Sequence, residues 1–118
     1  MRVRKVFANL TVSDIGKARD FYADYLGLSS ESLNLGWVAR FETPDGKAAV
    51  QLVTRDASAT EASVISVAVG ADIDVAYAEA KRHRYEIVHP LTAETWGIRR
   101  FFVRAPDGTV INMTSHSD

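Results

Sequence analysis

Two short turns, Thr43-Pro44-Asp45-Gly46 and Ala105-Pro106-Asp107-Gly108, recur about half a chain apart, each between two apolar runs. Proline presets the φ that the second position of such a turn needs, and glycine accepts the positive φ that follows. Each segment therefore predicts a β-hairpin. Ahead of each stands a similar passage, Leu10-Thr11-Val12 before Asp14-Ile15 and Val67-Ala68-Val69 before Asp72-Ile73. A strand, a helix and a hairpin met twice in the same order predict an α+β fold. The expected form is two tandem βαβββ modules whose curled mixed sheets surround a cleft.

The chain has 118 residues and 47% hydrophobic content, one domain's worth of material. A core of that size should bury roughly two-thirds of the unfolded surface and needs no staples. Cysteine is absent, which excludes a disulfide framework, a thiolate nucleophile and a cysteine-based zinc site. The basic opening Met1-Arg2-Val3-Arg4-Lys5 leads into a short strand containing Asn9 and not into a long apolar segment. It resembles neither a signal peptide nor a membrane span, so cytoplasmic residence and no membrane partner are expected. A net charge of −1 gives no steering field. The basic clusters Arg82-His83-Arg84 and Arg99-Arg100 are too small for a nucleic-acid surface, so no nucleic-acid partner is expected.

A first strand is predicted over residues 3–12, with Ser13 or Asp14 capping a helix striped by Ile15, Ala18, Phe21, Tyr22 and Tyr25 and stopped at Gly27. A short strand near 28–33 and a hairpin of 33–41 with 48–53 complete module one, residues 1–53. Residues 54–63 lack an apolar period and read as a linker. Module two, 64–118, is expected to hold a strand at 64–69, a helix striped by Ile73, Ala76, Tyr77 and Ala80 that ends near His83, and strands at 85–88, 99–104 and 109–113. Pro90 and Gly97 bound the loop between the first two of those three strands, which places His89 in a loop.

A type I turn followed by a glycine bulge pairs Ala105 with Thr109, and alternation then sets both faces of the second hairpin. Phe102 falls opposite Asn112 and Arg104 opposite Val110 on one face, while Phe101, Val103, Ile111 and Met113 share the helix-packed core face. The first hairpin carries one extra residue after its turn. Arg40 then pairs with Gln51, and Ala39, Phe41, Val50 and Leu52 belong to the core, with Trp37 on their side.

Leu10-Thr11-Val12-Ser13-Asp14, Phe21-Tyr22, Leu26-Gly27-Leu28, Trp96-Gly97-Ile98-Arg99-Arg100-Phe101 and Pro106-Asp107-Gly108 together resemble the vicinal oxygen chelate superfamily. This is the group of glyoxalase I, extradiol dioxygenases and the fosfomycin- and bleomycin-resistance proteins. The resemblance covers almost the whole chain and implies a cleft between the modules and a homodimer. It also implies a divalent metal held by His and Glu on the first and last strand of each module. Carried over, those positions are Phe7 and Val64, and Gln51 and Asn112. None is a histidine or carboxylate, so no metal and no cofactor are expected. His83 at a helix end, His89 and His116 in the tail read as structural or surface groups.

Gln51 and Asn112 offer donors and acceptors, Arg40, Arg100 and Arg104 offer guanidinium forks, and Phe102 with Trp96 offers stacking faces. The ligand-binding set expected is Phe7, Arg40, Gln51, Trp96, Arg100, Phe102 and Asn112, with no catalytic residue assigned. It resembles the metal-free bleomycin-resistance branch, which sequesters a small aromatic or amphipathic molecule. The apparent basic lean of the set favours an anionic or neutral ligand. Arg104 at its strand end alternatively pairs with Glu42 or Asp107. Two other readings stay open. One is an enzyme of lyase, isomerase or dioxygenase type drawing on Glu42, Glu94, Tyr22 or His89, and the other is an interaction module whose cleft is filled by its own aromatics.

Overall fold

In the computed structural model, which describes residues 1–115, the chain forms two compact units. One is Phe7–Ser58; the other joins Met1–Val6 to the chain from Ala59 onward. The leading residues belong with the latter because Arg4 N donates to Ala68 O at 2.8 Å and Arg2 N to Asp72 Oδ2 at 2.8 Å.

The first unit carries β1 (Lys5–Thr11), α1 (Ile15–Arg19), β2 (Ser30–Asn34), β3 (Val38–Glu42) and β4 (Ala49–Val53), with strand order β2-β3-β4-β1. β1 runs parallel to β4, and the other neighbours are antiparallel. The second unit repeats the plan with β5 (Ile65–Ala68), α2 (Ile73–Arg82), β6 (Ile87–Ala93), β7 (Arg99–Arg104) and β8 (Val110–Thr114), in the order β5-β8-β7-β6. Again the first and last strands pair in parallel. The α+β fold of two βαβββ modules is therefore as the repeated turns imply. No helix among the described residues is long and apolar enough to cross a membrane.

The two turns have the expected hydrogen bonds. Gly46 N donates to Thr43 O at 2.8 Å and Gly108 N to Ala105 O at 2.9 Å, with φ of 72° and 92° at the two glycines. Closure is Thr43 N to Ala48 O in the first turn and Ala105 N to Thr109 O in the second, so the extra residue of the first hairpin sits within its turn. The registers follow. Arg40 faces Gln51, Phe102 faces Asn112 and Arg104 faces Val110. Ala39, Phe41 and Leu52 are buried in one core with Ile15, Ala23 and Leu28. Phe101 and Met113 join Val67, Val69, Ile73, Ala76 and Ala80 in the other.

Three local expectations are corrected. The first helix stays α-helical only to Arg19, and Asp20–Tyr25 form a π-helical turn, although Asp14 caps it as expected by accepting from Lys17 N. The wider turn rotates the stripe, so Phe21 and Tyr25 are 52% and 76% exposed while Ala23 enters the core. Trp37 precedes β3, is only half-buried and joins neither core cluster; its carbonyl accepts from Thr54 N and Thr54 Oγ1. Finally, β6 begins at Ile87 and continues through His89 and Pro90 to Ala93, where the sequence suggested a strand over 85–88 and then a loop. Proline is tolerated there because β6 ends the strand order and its ladder is already interrupted on either side of His89.

Asp107 Oδ1 accepts from Thr109 N at 3.0 Å, and that backbone donor holds the carboxyl below the ordinary aspartate value. The stabilisation exists above the ordinary pKa and is lost as the pH falls through the lowered one. Urea unfolding curves of the wild type and Asp107→Asn should therefore converge on acidification, the wild type losing its advantage. Gly108→Ala, which places a side chain at φ 92°, should lower stability by about 1–2 kcal/mol with an unchanged denaturant slope.

Candidate functional site

A strand with one face against a helix must dispose of its other face, and in both units that other face is polar yet poorly exposed. In the second unit it is built from β5, β6, β7 and β8. Arg100, with its side chain 4% exposed, directs NH2 to Glu94 Oε2 at 3.3 Å. Its guanidinium lies 5.0 Å from the Trp96 ring centroid and 4.9 Å from that of Phe102. Glu94, also 4% exposed, has Oε1 at 3.4 Å from His89 Nε2, and the His89 ring is 5.3 Å from that of Phe102. The hairpin itself brings these groups together: Glu94 N donates to Ile98 O, and Gly97 with φ 95° closes the turn that carries Trp96. A charge so buried persists only when paired, and Glu94 does this for Arg100.

Asn112 stands opposite Phe102 in the ladder and is 5% exposed. Its Nδ2 donates to Ser66 Oγ at 2.9 Å, while its Oδ1 meets no donor among the described residues. Native interiors rarely leave such an oxygen unsatisfied, because the desolvation penalty is about 1–3 kcal/mol.

The equivalent face of the first unit holds Phe7, Asn9, Arg40 and Gln51. The Arg40 guanidinium lies 4.6 Å over the Phe7 ring, and its Nε and NH2 donate to Gln51 Oε1 at 3.4 and 3.3 Å. Gln51 Nε2 donates to Asn9 Oδ1 at 3.2 Å. Burial pushes the Arg40 pKa down, and the charge of nearby Glu42 partly opposes that.

Of the residues expected from sequence, Phe7, Arg40 and Gln51 thus meet in one group, and Trp96, Arg100 and Phe102 meet in another with Asn112 beside Phe102. Arg104 belongs to neither. It pairs with Glu86 and Glu61 at 3.1 and 2.6 Å, and not with Glu42 or Asp107. The basic lean is also corrected, since Arg100 and Arg104 are each paired with carboxylates and Arg40 feels Glu42. Sequence reasoning missed Asn9, Ser66 and the His89–Glu94 contact. Asn9 and Ser66 were accessible by running the parallel registers Asn9–Gln51 and Ser66–Asn112. The His89–Glu94 contact required a strand continuing through Pro90.

The residues at the positions implied for a metal do not fit one. Phe7 has no lone pair to give, and Val64 lies just before β5, half-exposed. Gln51 Oε1 is occupied by a guanidinium, and one neutral amide oxygen of Asn112 remains. A zinc- or iron-type ion needs three or four good donors. Among the described residues no cluster of three or more His, Cys, Asp or Glu could hold an ion. His116 lies outside the described residues.

A family model matches residues 5–113, from the first strand to the last. The chain belongs to the Glyoxalase/Bleomycin resistance protein/Dioxygenase superfamily. No curated protein sequence matches it. Solved structures of similar fold include a glyoxalase/bleomycin resistance protein/dioxygenase superfamily member from Vibrio splendidus 12B01, 21% identical, with a TM-score of 0.66 over 96% of this chain and 98% of that one. Methylmalonyl-CoA epimerase from Mycobacterium tuberculosis is 20% identical, with a TM-score of 0.68 over 98% and 88% of the two chains. A Legionella pneumophila structure described as an NAD-dependent benzaldehyde dehydrogenase is 17% identical, with a TM-score of 0.73 over 93% and 97%. At these identities the likeness shows the superfamily fold and no shared activity.

Within this superfamily member the buried pair is open to a direct check. Glu94→Gln leaves Arg100 buried without its counter-charge and should cost about 3–5 kcal/mol in urea unfolding. The double variant with Arg100→Leu should lose less than the sum of the two single losses.

Proposed function

We propose that the protein binds a small neutral aromatic or amphipathic molecule without a metal ion, in the manner of the bleomycin-resistance branch of its superfamily. The site is the polar face of the second unit, where Trp96, Arg100, Phe102 and Asn112 gather. Phe7, Arg40 and Gln51 give the first unit a face of the same recognition chemistry. The observation that carries this reading is Asn112, whose Oδ1 is buried without a donor beside an aromatic ring. A ligand hydroxyl or N–H would satisfy that oxygen while its ring stacks on Trp96, which is partly exposed where Phe102 is not. Neutrality follows from the pairing of Arg100 with Glu94, which leaves this face no spare positive charge to attract an anion. The same proposal takes the protein to be a cytoplasmic homodimer.

A second reading, an enzyme of the superfamily acting on a small metabolite, is favoured by the partly buried His89–Glu94 contact. Those two groups could hold and pass a proton beside a bound ligand.

The experiment is a thermal-melt screen in chelator against neutral phenols, quinones and aromatic natural products. At one hundred times its dissociation constant a ligand adds about 2.7 kcal/mol, a rise of a few degrees for a domain of this size. Asn112→Leu should keep a cooperative melt and lose the shift. A panel inactive in chelator but active once divalent metal is restored would overturn the metal-free reading. Turnover of a hit by the wild type, abolished in both Glu94→Asp and His89→Gln, would favour the enzyme.

A further inference from the structure

On the helix-covered side of the second unit's sheet, opposite the polar face, a groove of about 470 Å³ opens beside the C-terminal half of α2. Its floor is the cross-strand pairs Phe101–Met113 and Val103–Ile111. The space has a structural cause. Where α2 borders the groove its buried side chains are Ala76 and Ala80, too short to reach across. The helix then stops at Arg82, and Arg84 with φ 60° turns the chain away, so Val103 and Ile111 stay only partly covered. One wall is aromatic: the His83 and Tyr85 rings stack at 5.5 Å with 23° between their planes.

Met1 also lines the groove, and the charged side chains at the rim are already matched. Glu79 is bonded to Arg82 and lies 3.6 Å from His83 Nε2, and Arg104 is held by Glu86 and Glu61. An apolar floor, a flat aromatic wall and matched side-chain charges favour a neutral, planar ligand. The volume falls within the roughly 300–1,000 Å³ of small-molecule pockets.

We propose that this groove is a second binding site, taking a neutral flat apolar molecule of about two fused rings, separate from the polar face that carries Asn112. Such a ligand needs no hydrogen-bond donor, unlike the one inferred for the polar face. The two sites are therefore distinguishable by chemistry as well as by mutation.

The test uses the purified full chain and prodan, a neutral naphthalene dye without N–H or O–H donors, followed by its fluorescence blue shift. Saturable binding is expected for the wild type. Ala80→Leu, which fills the groove from the helix side, should weaken binding at least tenfold, and Tyr85→Ser, at a half-exposed position, should weaken it several-fold with folding intact. Asn112→Leu should leave prodan affinity unchanged, whatever its effect on ligands of the polar face. The proposal is overturned if the wild type shows no saturable binding, or if Ala80→Leu and Tyr85→Ser both bind as well as the wild type. It is equally overturned if Asn112→Leu alone abolishes binding. Light scattering supplies the remaining outcome: a wild-type dimer that Tyr85→Ser converts to monomer would mean that a second copy of the chain covers the groove.

Discussion

A β-strand has two faces and a side-chain period of two, so a slip of one residue exchanges them completely. Everything on these sheets depends on the two Pro-Asp-Gly turns keeping that slip from happening. In each, an aspartate carboxylate accepts from a backbone N–H just beyond the glycine, Lys47 in one and Thr109 in the other. The turn sets which residue closes the hairpin, closure sets the register, and the register sends Phe101 to the core and Phe102 to the polar face. The parallel pairings of β1 with β4 and β5 with β8 then place Asn9 beside Gln51 and Ser66 beside Asn112.

Electrostatically, the polar faces are restrained where the sequence alone makes them look basic. A buried guanidinium is costly in isolation, and the fold answers with a carboxylate in one unit, an amide in the other, and rings in both: Arg100 has Glu94, Trp96 and Phe102, and Arg40 has Gln51 and Phe7. Such clusters fix side-chain positions and spend their charge internally. What they leave for an incoming molecule is shape, the partly exposed Trp96 ring and buried polar atoms such as Asn112 Oδ1, which suits recognition by fit and single hydrogen bonds better than by charge.

The hairpins were legible because local chemistry, turn residues between alternating apolar runs, agreed with the fold. Arg40 opposite Gln51 and Phe102 opposite Asn112 follow from counting outward from a glycine. The π-helical turn at Asp20–Tyr25 was not legible, since Ile15, Ala18, Phe21, Tyr22 and Tyr25 satisfy a helical period that tertiary packing of Ala23 and Leu28 overrides. Pro90 concealed β6, and with it His89 and Glu94, because a proline normally ends a ladder and here sits at a strand with no further neighbour in its sheet order. The partners of Arg104 could not be read from its neighbours in the hairpin, for Glu61 and Glu86 come from segments far away in the chain.

Pro90 also bears on how such a protein survives at high concentration. An outermost strand offers a row of backbone donors and acceptors on which another chain can add a strand, the usual route to uncontrolled aggregation. In β6 that row is broken by a residue without an N–H and by irregularities on both sides of His89. Strand addition from this side is discouraged by the covalent structure itself, without needing a charged gatekeeper. Association of one copy with another is thereby steered toward side-chain surfaces, where fit can be selective, and away from the backbone, where it cannot.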